Sequence, residues 1–338
     1  MSRFSRTAVA AGLLAALLQP SFALAQAQAP RCVGQDIAPE LKERQPAEWA
    51  RITQAADRTV NARAIFWRID GPKGPPSHLF GTIHLTDDRI NALPVAVQLA
   101  LGSAKKVALE VADLSPQSLG AAIGRVQKLL VFGDGRSLEV LLSPEELAVA
   151  RGAVIKSGMP GAAIGSLKPW VVNMMLSLSD CERQRSGTGL KALDLRLGDI
   201  AKQRGIPLVG LETLDDQLRA MAAVPDGDQL TVLKAGLRLY ARTDDMIETM
   251  VRRYLARELG LIWPMQEALW REAGYQPAAF ASFQHELVTV RNAHMRDAAL
   301  PLLAEGGTFI AVGALHLPGQ NGLVELFRAA GYKVTPGE

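Results

Sequence analysis

Two short runs of the same kind lie far apart in the chain: Gly81-Thr82-Ile83-His84 and Gly313-Ala314-Leu315-His316. Each follows an apolar run and puts a histidine three residues after a glycine. Histidine exchanges protons near neutral pH, and its ring nitrogens are common metal donors. Either histidine alone reads more readily as a corner residue that caps a helix or fills a turn. Repetition at matching points is what points to shared chemistry. Two carboxylates have the same placement: Glu110 closes the run Val107-Ala108-Leu109, and Glu212 closes the run that ends at Leu211. Two imidazoles beside a carboxylate make either a divalent metal site or an acid–base cluster that activates water. A surface acid or a helix cap is the competing reading for both carboxylates, and for Glu212 it is equally good.

Further along, Pro277 to Leu303 reads as one long helix. At 100° per residue its apolar face carries Phe283, Leu287, Val290, Arg291 and His294, continued by Ala298. An inward arginine needs a carboxylate, a backbone carbonyl or an anionic substrate group, because an unmatched buried charge costs several kcal/mol. Arg291 is therefore a candidate site residue. His294 is a secondary candidate that reads equally as a satisfied core histidine, and His78 and His285 read as surface.

The elements that must position these residues follow from periodicity and punctuation. Ala47 to Val60 is expected to be a helix, and Ala64 to Ile69 and His78 to Phe80 a hairpin about Gly71-Pro72-Lys73-Gly74-Pro75-Pro76. Helix Leu93 to Ser103 leads into strand Lys106 to Val111, and helix Gly189 to Arg204 into strand Pro207 to Leu211. Such helix-to-strand returns favour parallel pairing. Strand Thr308 to Val312, helix Gly322 to Ala330 and strand Lys333 to Thr335 close the chain. The stretches from about 115 to 180 and from 214 to 275 are helical, with Ser143 as an N-cap before Pro144. The expected fold is thus α/β: a mixed, largely parallel sheet flanked by helices, with a mainly helical insertion in the middle of one domain spanning 26–338. Parallel strands put their carboxyl ends on one rim, where open α/β sheets bind ligands. His84, Glu110 and His316 are expected there, roughly 4–8 Å apart, with Glu212 a weaker member.

The 338 residues are 48 % hydrophobic and 21 % charged, which excludes a mainly disordered chain. With 37 basic and 34 acidic side chains and no basic run interleaved with aromatics, nucleic acid is not an expected partner. A small molecule or peptide recognised in a pocket is. Arg3 and Arg6 precede the apolar stretch Ala8 to Leu18, followed by Pro20 and Ala23-Leu24-Ala25. That is the layout of a secretory signal peptide, with cleavage expected after Ala25 or, next, after Ala27. The stretch falls short of the roughly 20 apolar residues of a membrane span, and no later stretch is long enough. The expectation is export to the periplasm or beyond, in a bacterium, with no transmembrane segment remaining. In such an oxidising compartment Cys32 and Cys181, the two cysteines of the chain, are expected to pair, two buried thiols being the alternative.

Several runs together resemble the TraB/GumN family: Phe66-Trp67-Arg68-Ile69, Leu79-Phe80-Gly81-Thr82-Ile83-His84, Lys168-Pro169-Trp170, Cys181-Glu182, Gly210-Leu211-Glu212-Thr213 with Gln217, Arg291-Asn292, and Val312 to Gly319. The resemblance runs from about Cys32 to Val334. It implies an α/β fold related to the Tiki proteases, the erythromycin esterases and the ChaN haem-binding proteins. By resemblance to Tiki-like members, His84, Glu110, Arg291 and His316 form the active site of a metal-dependent peptidase that uses a Mn or Co class ion. Donor chemistry alone admits Zn or Fe equally. The esterase resemblance implies water activation by a similar His/Glu/His set without a metal, and the ChaN resemblance implies haem binding without catalysis. No CxxCH motif is present, so covalent haem is excluded. The expected function is an exported, peptidase-like hydrolase, with a periplasmic haem- or metal-complex-binding protein or a metal-independent esterase as alternatives.

Overall fold

The computed structural model describes residues 30–337, so the expected signal peptide lies outside the described residues. Six strands build one sheet: β1 (Phe66–Asp70), β2 (Ser77–Thr82), β3 (Lys106–Leu109), β4 (Leu208–Gly210), β5 (Thr308–Gly313) and β6 (Lys333–Pro336). Their order across the sheet is β4-β3-β5-β2-β1-β6. β4, β3, β5 and β2 run parallel, while β1 pairs antiparallel with both β2 and β6. The Gly/Pro turn between β1 and β2 includes Gly74 at φ 81°, a left-handed conformation that a Cβ disfavours. The four parallel strands therefore end on one rim, as the helix-to-strand returns required.

Central β5 is buried on both faces. Phe309 and Ala311 pack with Phe80, Val107 and Leu109 against Leu193, Leu197 and Ala201 of helix Leu193–Gln203. Ile310 and Val312 face the other way, onto Met295, Ala299, Leu303 and Phe327. This two-sided burial is why the parallel strands read as continuous apolar runs. Away from the sheet, helices between Pro116 and Glu272 build one further apolar core, and with helices Ile37–Arg44, Pro46–Arg58 and Ala278–Gln284 a second. Ser143 caps Pro144–Lys156 in a full capping box with Glu146.

The stretch expected to be one regular helix is helical throughout but changes type. Helix Ala278–Gln284 passes into a π-helical turn, His285–Val290, and then into helix Arg291–Glu305. A π turn closes i→i+5 bonds and takes up extra chain, so every later position is rotated about the axis. The buried positions beyond it are Asn292, Met295, Ala299 and Leu303, and His294 is exposed. The expected inward placement of His294 is corrected on this ground. His285 is exposed as expected, whereas His78 is half-buried and stacked on Phe66 with ring centroids 5.4 Å apart.

Candidate functional site

The two GxxH glycines are there for different reasons. At Gly81 a Cβ would stand 3.0 Å from Ala314 Cα and from its Cβ, so glycine lets the end of β2 pack directly on the turn Ala314–His316. At Gly313 a Cβ would stand 3.2 Å from Glu110 Oε1, 3.4 Å from His316 Cδ2 and 3.7 Å from His84 Nε2. Glycine here keeps the space between the three side chains open.

Both histidines are oriented through Nδ1. His84 Nδ1 lies 2.6 Å from Asp194 Oδ2, and Thr82 Oγ1 donates to the other oxygen of the same carboxylate. Asp194 sits in the first turn of helix Leu193–Gln203. His316 Nδ1 lies 2.7 Å from Asn292 Oδ1, and Asn292 Nδ2 donates to the Asn321 carbonyl at 2.7 Å. That second bond fixes which way the Asn292 amide points. His316 must then carry its proton on Nδ1 when neutral, with the Nε2 lone pair free. Both Nε2 atoms converge on Glu110 Oε1, at 3.9 Å from His84 and 3.8 Å from His316.

The two rings titrate in opposite directions. The charge of Asp194 raises the His84 pKa to about 9 against the cost of burial, helped by their hydrogen bond and by Glu110. His84 is nevertheless 62 % exposed: it is crowded by the crevice walls yet open to solvent, so it is a cation that an incoming molecule can meet. His316 is 7 % exposed, and burial lowers its pKa to about 4. At neutral pH His84 is therefore charged and His316 is not.

Glu110 follows β3, and each of its oxygens is held. Oε1 accepts from Gly313 N–H at 2.6 Å, and Oε2 accepts from Arg291 Nη2 at 2.6 Å and Gln217 Nε2 at 3.0 Å. Burial raises its pKa, but His316, His84, Arg291 and the Gly313 N–H outweigh that and bring it down to about 2. At neutral pH His84 and Arg291 supply the positive charge. Arg291, 11 % exposed, also binds Glu212 through Nε at 3.1 Å and through Nη2 at 2.7 Å, and its Nη1 donates to the Leu287 carbonyl at 3.2 Å. Glu212 is 1 % exposed. Arg291 thus faces inward as its helical face required, with two buried carboxylates as partners and one Nη1 hydrogen uncommitted.

The crevice above these groups has a volume of about 290 Å³, with His84, Glu110, Asp194 and Gln217 on its walls beside Leu114 and Leu195. Among the described residues no group of three or more His, Cys, Asp or Glu side chains is close enough to form a ready metal cage. The 3.8 and 3.9 Å separations exceed by about half an ångström the ~3.4 Å between two donors of one tetrahedral ion. In kind, though, the donors fit a divalent ion: two Nε2 atoms, each with its Nδ1 held, and one carboxylate oxygen around the position left open at Gly313.

The strand-end residues His84, Glu110, Glu212 and His316 come together on the rim with Arg291, while His294 stays apart. Asp194 and Asn292 were not foreseen as site residues, nor was Gln217 beyond its place in a motif. An acid in a first helical turn looks like dipole compensation, and Asn292, like Gln217, stands in a motif of the family resemblance with no role read for it.

The segment after His84 is clamped from outside the sheet. Thr86 donates from N and Oγ1 to buried Glu182, and Arg185 donates to Thr86 Oγ1 at 2.9 Å and to its carbonyl at 2.8 Å. The same helix, Asp180–Gly187, carries Cys181, which faces Cys32 in disulfide geometry with the Cα atoms 5.5 Å apart.

A model of the TraB/PrgY/gumN family matches residues 65–336, a span that holds every rim residue described above. The chain is 24 % identical over 260 residues to YbaP of Shigella flexneri, covering 76 % of this chain and 89 % of the relative. It is likewise 24 % identical over 254 residues to YbaP of Escherichia coli (strain K12), covering 74 % and 87 %. Both relatives are described as uncharacterized proteins. No solved structure matches the chain. The chain belongs to the TraB/PrgY/gumN family.

Proposed function

We propose that this member of the TraB/PrgY/gumN family is an exported hydrolase of a peptide or a small molecule, whose reacting bond sits between His84, Glu110 and His316. The observation that carries the reading is the convergence of two Nε2 atoms, each on a ring fixed through Nδ1, on one oxygen of a buried carboxylate. Hydrolysis of an amide or ester needs a positioned water, a proton for the leaving group and positive charge near the carbonyl oxygen. His316, neutral and buried, orients water through its Nε2 lone pair and accepts the water's proton as the water oxygen bonds to the carbonyl carbon. His84, cationic and open to the crevice, donates to the substrate oxygen or to the leaving group. Glu110 balances both rings, and Arg291 acts through Glu110 and Glu212 as a positioning residue. A divalent ion of the Mn or Co class, or Zn, would displace the His84 Nε2 proton and be held by His84 Nε2, His316 Nε2 and Glu110 Oε1, where it would supply Lewis acidity and an acidified water. The same residues serve a metal-independent esterase.

A second reading is binding of haem or a metal complex in the periplasm. The solvent-facing His84 between Leu114 and Leu195 favours it, since an imidazole flanked by apolar walls suits such a ligand. Export rests on the signal-like segment before Ala25 and on the Cys32–Cys181 pair. The test is protein purified from a periplasmic fraction, with N-terminal sequencing, elemental analysis, an absorbance spectrum and a panel of peptide and ester substrates. The expected result is a mature N-terminus near residue 26 and hydrolysis that His84→Ala and His316→Ala abolish. A Soret band without hydrolysis overturns the hydrolase reading in favour of the second.

A further inference from the structure

Behind the turn that carries His316 lies a larger cavity, about 380 Å³, between the helices of the middle of the chain. Val232, Met246, Met250, Met265 and Phe280 are on its walls, and Leu315, the neighbour of His316, closes its end toward the site. A smaller cavity of about 130 Å³ shares Asn173, Ser177, Val232 and Phe283 with it and reaches Leu287, whose carbonyl holds Arg291 Nη1. The two cavities share these four wall residues. A space of this volume is in the range of a ligand pocket. Gly236 helps to keep it open: a Cβ there would meet Asn173 Oδ1 at 3.1 Å and Leu176 Cδ1 at 4.0 Å, both on the cavity wall.

From these walls we infer that the space is a binding site for one unbranched acyl chain carried in an ester or amide linkage. The volume holds roughly a dozen or more methylene groups at interior packing density. Three methionines give a wall that adapts to a flexible chain. A peptide would bury amide groups against walls that offer few partners, each at a desolvation cost. The other polar groups on the walls are uncharged: the Asn173 and Gln266 side-chain amides and the hydroxyls of Ser177, Thr243 and Thr249. The cation on the wall, Arg253, is already paired with Asp36 and Glu258, each at 2.7 Å. Arg253 Nε has no hydrogen-bond partner among the described residues, but two carboxylates already balance the guanidinium charge, so no net positive charge is left for a free carboxylate and the head of the ligand is neutral.

The site does not depend on the reaction proposed above, and its test does not use activity. The mature protein is titrated with the neutral fluorophore N-phenyl-1-naphthylamine, and the bound dye is then displaced by monoacylglycerols of increasing chain length below their micellar concentrations. Displacement is expected to strengthen about three- to fourfold per added methylene, up to the capacity of the cavity. The fatty acids of the same lengths at pH 8 are expected to displace at least tenfold more weakly. Gly236→Leu and Met250→Trp, which fill the space from two different helices, should each lose dye binding while circular dichroism stays native, and two are used in case one does not fold. His316→Ala, outside the wall, should bind the dye as the parent does. Displacement independent of chain length, fatty acids as effective as neutral esters, or full dye binding in both filled variants would overturn the inference.

Discussion

Gly313→Ala separates the proposed chemistry from the fold more cleanly than removal of a histidine does. Gly313 has φ −50° and ψ 132°, a backbone conformation open to any L-residue, so alanine brings no backbone strain. Its methyl group would lie 3.2 Å from Glu110 Oε1 and 3.4 Å from His316 Cδ2, contacts that side chains relieve by small shifts, and 3.7 Å from His84 Nε2. Replacing glycine at a compatible position stabilises by about 0.4–1 kcal/mol through the unfolded chain, and the tight contacts cost a similar amount. The net change in stability should therefore stay within about 1 kcal/mol, a melting shift of roughly 2–4 °C. The methyl nevertheless occupies the point where the three proposed functional side chains meet. A displacement of the reacting atom by about 1 Å costs on the order of a hundredfold in rate. Thermal melts, hydrolysis of whichever panel substrate responds and metal content, measured on the same preparation, give the comparison. Gly81→Ala is the structural counterpart: its Cβ meets Ala314 backbone at 3.0 Å, and it should cost about 1–3 kcal/mol. If Gly313→Ala hydrolyses and retains any metal like the parent, no reacting atom sits between these side chains and the proposed centre is wrong.

Arg291→Leu leaves Glu110 and Glu212 buried without their cation, and should lower stability by about 3–5 kcal/mol in urea melts; a loss under 1 kcal/mol would mean that Arg291 does not hold the pair. Asp194→Asn should bring the His84 pKa down from about 9 toward 6.5, read from its ring-proton shifts, and an unchanged titration would refute the Asp194 coupling. Stability should also depend on pH through this cluster. His84 has a raised folded pKa, so its contribution is complete below about 6.5 and is lost as pH rises through about 9. The folded pKa values of His316 and Glu110 are depressed, so their contributions are lost as pH falls from 6.5 to about 4 and from 4.5 to about 2. Their summed contribution peaks near pH 6.5, and denaturant midpoints that climb steadily past pH 8 would contradict it. Peptide mapping without reduction should recover Cys32 linked to Cys181, and Cys32→Ser should cost up to ~5 kcal/mol for a loop closed by a sequence separation of 149; two thiols alkylated in native protein would refute the link.

The rim was legible because parallel strands buried on both faces leave a plain trace. An apolar run breaks off at a residue that does not belong in a core, and His84, Glu110, Glu212 and His316 all stand at or just past such a break. Pairing order was not needed to place them together, since parallel strands share a rim in any order. The supports of the imidazoles were not legible. Asp194 occupies a first-turn position where an acid favours any helix, so its sequence context does not distinguish a histidine partner from a charge for the helix dipole. The π turn was hidden for a different reason: His285 to Val290 satisfies either i→i+4 or i→i+5 bonding, and the choice shows only in the burial phase of the residues after it. With that phase, consecutive residues serve different halves of the site, Arg291 the carboxylates and Asn292 the buried imidazole.

Charge order explains how so many ionisable groups share one rim. Asp194, His84, Glu110, Arg291 and Glu212 form a row in which each charge faces its opposite, with His316 neutral beside the central carboxylate. Buried ions are tolerated when every one is paired and hydrogen-bonded, and Glu110 meets that condition with cations on both sides and two further N–H donors. The row cannot lose an inner member without stranding its neighbours, which is why Arg291 is expected to cost stability when replaced. Its inner end, Glu212, is 1 % exposed, while His84 is 62 % exposed. An incoming molecule therefore meets the row at its imidazolium end, with the open space at Gly313 and the His316 lone pair directly behind. A cation in front of a positioned acceptor is the order that attack on a polarised carbonyl requires.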